Sequence, residues 1–260
     1  MRAARHARRV VQVPAHLRPQ WTDLTRPTVP AEPFHPVLAT HLPEPVQRWL
    51  AHAIEPGTPL RHRAVLHQHG AIRLGAWRRF ESVQALAPLE GYIWAATTHV
   101  YGVRVHGFDR YTEGTGELCH RAFGVRVAVA GGPEVSRSAA ARHVSELVWV
   151  PAVALAPEVE WKPIDDSRAT ALIPCAGRVY EATLTVRATG ELEKVTIPRW
   201  TDVGGTPWHE ELFAAVCHGE GSFDGYTVPL HVSAGWGYGT SRWARGGVFV
   251  REVVDRIRYH

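Results

Sequence analysis

The side chains able to do chemistry in this 260-residue chain are plentiful but scattered. His67 and His69 stand two apart, so on a strand both point to one face, a geometry that can ligate a metal. His62 falls on the opposite face of a regular strand, and no third ligand is identifiable nearby. With 16 histidines in the chain, chance pairs on a sheet surface are expected, and no metal is assigned. Asp109, Glu113, Asp165 and Asp166 are the carboxylates nearest the mouth of the expected sheet, and acid–base chemistry there requires two of them to converge. Asp165 and Asp166 read equally well as turn formers, and Asp109 as the partner of an Arg on a neighbouring strand. Cys119 precedes His120, but adjacent strand residues face opposite ways, which separates thiol from imidazole.

Glycine motifs add little. The chain has no GxSxG elbow. GGP at 131–133 and GYG at 237–239 lack the strand–loop–helix context of a phosphate-binding loop. No catalytic residue and no cofactor is therefore assigned. Ten Trp are unusually many, and Trp94, Trp149 and Trp161 are the candidates for lining an apolar ligand pocket, weighed against ordinary core packing.

The elements that must position these residues are mostly strands. From Arg61 the apolar period is two: Ala64 and Leu66 alternate with Arg63, Val65, His67 and His69. Further strand-like runs follow, separated by turn residues, as in an antiparallel meander. The cleanest alternation sets Tyr180, Ala182, Leu184 and Val186 against Glu181, Thr183, Thr185 and Arg187. Two helices interrupt this pattern. Val46, Trp49, Leu50 and Ala53 make one stripe of a short N-terminal helix. The second lies in the stretch 131–166, with Ser136 or Ser138 as the expected cap and Ala140, Val144, Leu147 and Val148 as its apolar stripe. Arg137, Arg142 and Glu146 fall on its other side, and the WVPAVALAP that follows suits a buried connection. The expected fold is mainly β (α+β): a long curved antiparallel sheet or half-barrel of about ten strands, with one central and one N-terminal helix packed on it. Residues 1–40, rich in Pro and Arg, read as an arm, and 41–260 as a single β domain with capping helices.

Composition narrows the classes. A hydrophobic fraction of 45% supports a full core. The net charge of +4 gathers partly in Arg2, Arg5, Arg8 and Arg9 and makes no basic stripe with interleaved aromatics, so nucleic acid is not an expected partner. Three distant cysteines give neither a disulfide framework nor a zinc cage. No apolar run reaches the roughly 18 residues of a membrane span. A soluble, cytoplasmic protein is the expectation.

Several segments carry a family resemblance: LPEPVQRWLAHAIEPGTPL, VLHQHGAIRL with WRRFESVQ, GYIWAA, and EVSRSAAARHVSELVWVPAVAL with the EWKPID beyond it. Over about residues 42 to 236 the chain resembles the bacterial family called domain of unknown function 6544. Where relatives carry an aromatic or Leu late in the central helix, this chain has His143 and Val144. The resemblance implies no activity. By looser analogy it suggests the half-barrel of LolA- and LolB-type lipoprotein carriers, which hold acyl chains in an apolar concavity. The expected function is a binding module for a lipid or other apolar small molecule. The alternatives are an enzyme with a small polar site built on Asp109, His106 or His99, and an interaction protein that uses its basic arm.

Overall fold

The computed structural model describes residues 11–27 and 29–260; the basic tail read from Arg2, Arg5, Arg8 and Arg9 lies outside the described residues. The chain first runs through β1 (Ala64–Leu74), β2 (Ala76–Ala87), β3 (Gly91–Val100), β4 (Val103–Thr112), β5 (Thr115–Ala122) and β6 (Val125–Gly131). It resumes with β7 (Glu160–Asp165), β8 (Arg168–Cys175), β9 (Arg178–Val186), β10 (Leu192–Thr201), β11 (His209–Phe223), β12 (Tyr226–Trp236) and β13 (Val248–Tyr259). Among the described residues these thirteen strands form one curved, unclosed antiparallel sheet, in the order β6-β5-β4-β3-β2-β1-β13-β12-β11-β10-β9-β8-β7.

That order is two meanders joined in the middle. The first walks outward from β1 to the edge at β6; the second starts at the far edge, β7, and walks back until β13 pairs with β1. Strand alternation follows the sequence pattern. On β9, Tyr180, Ala182, Leu184 and Val186 are buried while Glu181 is exposed. The expected count of about ten strands is low partly because residues 117–130 make two strands. Their turn carries Phe123 before Gly124, where an aromatic hides the usual polar turn signal.

Among the described residues three α-helices accompany the sheet: α1 (Arg18–Leu24), α2 (Glu44–Ala53) and α3 (Pro133–Ser145). α2 buries the expected stripe of Val46, Trp49, Leu50 and Ala53. α1 lies within the stretch read as an arm; Leu17 and Leu24 are buried there against Ala85, Ile93, Phe108 and Cys119 on the outer face of the sheet. Phe34 is fully buried in the main core on the inner face.

α3 connects the two edges of the sheet and packs on both β5 and β10, so it spans the concave side. Its start differs from the serine-capped expectation. The cap is Gly132, at φ 95°, with Pro133 in the first turn, and no side chain caps the helix. Proline's fixed φ and absent N–H already suit a first helical turn, which frees the two serines for other partners. Ser136 Oγ donates to Gly132 O (2.9 Å) and accepts from Gly116 N–H on β5 (2.9 Å). Ser138 is used by Arg199 on β10. The close approach to β5 depends on Gly116, where a Cβ would sit 2.7 Å from Ser136 Cα and 2.9 Å from Ala139 Cβ. After α3, Glu146–Trp149 and Pro151–Leu155 form 3-10 turns; Leu147, Ala152 and Val153 within them and Val150 between them are fully buried, as a buried connection requires.

Candidate functional site

Between this helical span and the sheet lies a cavity of about 380 Å³. Register fixes which side chains enter it. Trp94 on β3 pairs with Asp109 on β4, and Asp109 with Leu118 on β5, so all three face inward. On the other side, Glu252 pairs with Val232, and both line the cavity. Phe213, Phe249 and Trp149 complete a largely apolar wall.

A compact set of charged groups faces this wall. Arg142 of α3 donates from Nε to Glu146 Oε1 (2.8 Å) and from Nη1 to Asp109 Oδ2 (3.3 Å). Its guanidinium lies 4.6 Å from the Tyr92 ring centre and 5.5 Å from that of Trp94. Burial works against its charge, but Glu146, Tyr92 and Asp109 outweigh that and hold its pKa above the ordinary value. Gln84, fully buried on β2, donates to the other oxygen of Glu146. The side of the helix that carries Arg142 and Glu146 does not face solvent: Glu146 is buried, and Arg142 lies on the cavity. A sheet that curves up on both flanks leaves this helix little free face.

Arg199 of β10 is arranged differently. Its Nε donates to Ser138 O (3.0 Å) and Oγ (3.3 Å), and its guanidinium rests 5.0 Å from the Phe213 ring centre and 5.1 Å from that of Trp236. Among the described residues it forms no ion pair, and its terminal nitrogens have no hydrogen-bond partner. Burial brings its pKa down to about 10, so it remains a cation at neutral pH. Glu252 is the third element: it accepts from Gln68 Nε2, and Ser82 Oγ donates to Gln68 Oε1 (3.2 Å). Burial, reinforced by the charge of Glu146 and opposed by Arg142, pushes the Glu252 carboxyl up to about 8, so it is protonated at pH 7.

The Trp residues singled out from sequence separate. Trp94 and Trp149 line the cavity, and Trp149 Nε1 donates to Pro229 O (3.1 Å). Trp161 packs against the core beside it and donates to Ala154 O (3.0 Å). Asp109 pairs with Arg142 of the helix rather than with an Arg on the next strand, while Arg110 pairs with Glu117 across β4 and β5 (2.9 Å). His99 and His106 are exposed and lie at outward positions of the strands that turn Trp94 and Asp109 inward, so they do not converge with Asp109. His120 does reach Asp109, at 3.7 Å. Asp165 pairs with Arg168 in an exposed turn. His69 pairs with Asp255 (2.9 Å). Among the described residues no three His, Cys, Asp or Glu side chains gather as a metal site needs. Cys217 lines the cavity, but burial pushes its thiol up to about 12, which leaves it a poor nucleophile.

The residues missed from sequence had a common signal. Val195, Ile197 and Arg199 form one period-two stripe, as do Val250, Glu252 and Val254, and Ala64, Leu66 and Gln68. A polar residue continuing an inward stripe marks a group turned into the concavity.

The family model described as "Family of unknown function (DUF6544)" matches residues 32–246. No curated protein matches the chain in sequence. Among solved structures, one similar chain is described as an outer membrane lipoprotein-sorting protein domain, from Vibrio parahaemolyticus. It has 7% identity and a TM-score of 0.40, over 76% of this chain and 85% of that one. Another is the LolA superfamily protein NE2245 from Nitrosomonas europaea, with 9% identity and a TM-score of 0.39 over the same shares. The overlap is distant, and the residues of the cavity carry the functional reading. Among the described residues no helix is long and apolar enough to cross a membrane.

Proposed function

Because the chain belongs to the family of unknown function DUF6544, whose members share no assigned activity to inherit, we propose from the cavity alone that the protein binds a small amphiphile. The ligand has an apolar body and an anionic head. Its body lies against Trp94, Trp149 and Phe213, and its head meets Arg199. The observation that carries this reading is the state of Arg199: a half-buried cation on an apolar cavity that, among the described residues, has no ion pair and no hydrogen bond from its two terminal nitrogens, with Glu146 and Asp109 acting on it only at longer range. Charges buried in proteins are ordinarily paired. Arg142 has its carboxylates; Arg199 lacks one, and a carboxylate or phosphate on the ligand supplies it. Protonated Glu252 adds a neutral donor in the same space, which avoids repelling an anion. The volume fits the lower part of the range, roughly 300–1,000 Å³, usual for small-molecule sites.

Two measurements test this. Solvent extraction and mass spectrometry of natively purified protein is expected to release an anionic amphiphile. Displacement of a fluorescent fatty acid is expected to weaken by about 10- to 100-fold in Arg199→Met, from the loss of a charged hydrogen bond of about 1.5–3 kcal/mol, while the matching fatty alcohol binds both proteins alike. Absence of extracted ligand together with no probe binding would overturn the proposal.

A further inference from the structure

One end of the sheet carries a surface that the fold does not explain. The turns β1–β2, β3–β4 and β5–β6 all lie at this end, since Phe80 pairs with Thr98 and Val105 with Ala122. Their tips hold Leu74 and Trp77, Tyr101, and Phe123. Tyr101 is 88% exposed and Phe123 85%, and Val125 and Val127 on the edge strand β6 continue the patch at 66% and 57%. Tyr101 and Phe123 each precede a glycine in a two-residue turn with both φ values positive. Such turns favour Asn, Asp or Gly at that position, so the aromatics act against local preference. At the opposite end of the sheet, the same turn position carries Glu113 and Asp224. Turn geometry therefore does not account for the two aromatics.

The charges around this patch are nearly all of one sign. Across 70–81, 98–106 and 119–128 stand Arg73, Arg78, Arg79, Arg104, Arg121 and Arg126 against the single acid Glu81. Arg78 lies 4.9 Å from the Tyr101 ring centre and Arg251 4.8 Å from that of Trp77, so cations and aromatics are interleaved. A second copy of this chain docking through the same face would set six arginines against six. An anionic bilayer complements them: arginines meet lipid phosphates while Tyr101 and Phe123 enter the headgroup boundary. The patch also borders the cavity, whose wall includes Ile72, Arg73 and Leu74 at the same end.

We propose that this rim docks the protein on an anionic lipid bilayer, with the tips at Tyr101 and Phe123 inserted at the interface. The docking is independent of what the cavity holds. It is tested by sedimenting the full chain with vesicles of phosphatidylcholine alone and of equimolar phosphatidylcholine and phosphatidylglycerol. Binding is expected only to the anionic vesicles, and to fall as salt is raised. Tyr101→Asn with Phe123→Asn is expected to reduce partitioning about ten-fold or more. Asn suits a positive φ better than an aromatic does, so an unchanged or raised unfolding midpoint shows that the loss is not misfolding. Arg104→Glu with Arg126→Glu is expected to reduce partitioning by a similar factor. Equal binding to both vesicle types, or full binding by either double variant, overturns the proposal. So does self-association abolished by Phe123→Asn in a chain that ignores vesicles.

Discussion

Replacing Glu252 by Gln separates the protonation of one buried carboxyl from everything else in the protein. Gln keeps the size of the side chain and can still accept from Gln68. Burial raises the Glu252 pKa from the ordinary 4.5 to about 8, so the folded state holds a proton that the unfolded chain releases above pH 4.5. The sign follows. Below 4.5 both states are protonated and nothing depends on pH; between 4.5 and 8 the folded state binds the extra proton, and stability falls as pH rises; above 8 both are ionised and the dependence stops. The slope is ~1.4 kcal/mol per pH unit, and the window from 4.5 to about 8 limits the total to about 5 kcal/mol. That is a large part of the ~5–15 kcal/mol expected of a domain. Urea unfolding of wild type and Glu252→Gln across pH 4 to 9 measures it, because titrating groups remote from the cavity cancel in the difference. The variant is expected to gain on the wild type steadily from pH 5 to 8 and then hold its lead. Parallel curves, or a wild type that gains with pH, would refute the argument that this carboxyl is held neutral.

Two further substitutions probe the surroundings of the cavity. His143 is buried between Tyr92 and Tyr111, with ring centres 6.5 and 5.5 Å away, and burial pushes its pKa down to about 3. Its contribution is complete above pH 6.5 and is lost as pH falls towards 3, so His143→Phe is expected to be about 2 kcal/mol more stable than wild type at pH 5, relative to pH 7. Equal acid sensitivity in urea unfolding at the two pH values would contradict this. Gly116→Val places a branched side chain where even a Cβ meets Ser136 and Ala139, so a loss of about 1–3 kcal/mol is expected, with weakened probe binding as α3 shifts off β5. Unchanged stability and unchanged displacement of the fluorescent fatty acid would show that the contact is not needed.

The fold was legible because it rests on period-two burial, which survives in a single sequence. Tyr180 to Val186 announces a strand with one inner face, and Val46 to Ala53 a helix with one stripe. The cavity was only partly legible. Trp94 and Trp149 can be suspected from bulk and apolarity, but their inward turn depends on register with β4 and on the path of the 3-10 turn after α3. Arg142 and Glu146, four apart, look like a surface ion pair on any helix. Only the two flanks of a curved sheet convert that pair into an interior one. Arg199 is harder still: its significance lies in a missing partner, and sequence shows partners only after the chain has folded. The serines of α3 misled for the opposite reason, since local capping was a sufficient explanation until Gly132 and Pro133 took that role.

The joining of two meanders at β1 and β13 also sets an order in time. Each ladder consists of neighbours in sequence and can zip from its turns, but Ala64 meets Tyr259 only across about three quarters of the chain. During synthesis, β1 therefore emerges early and waits with an unpaired edge until the last strand of the sheet is made. Contacts at such separation slow folding, because the loop must close before the pairing rewards it. The cavity has walls from both ladders, so it takes shape at that final docking, and a ligand present then would be enclosed rather than admitted.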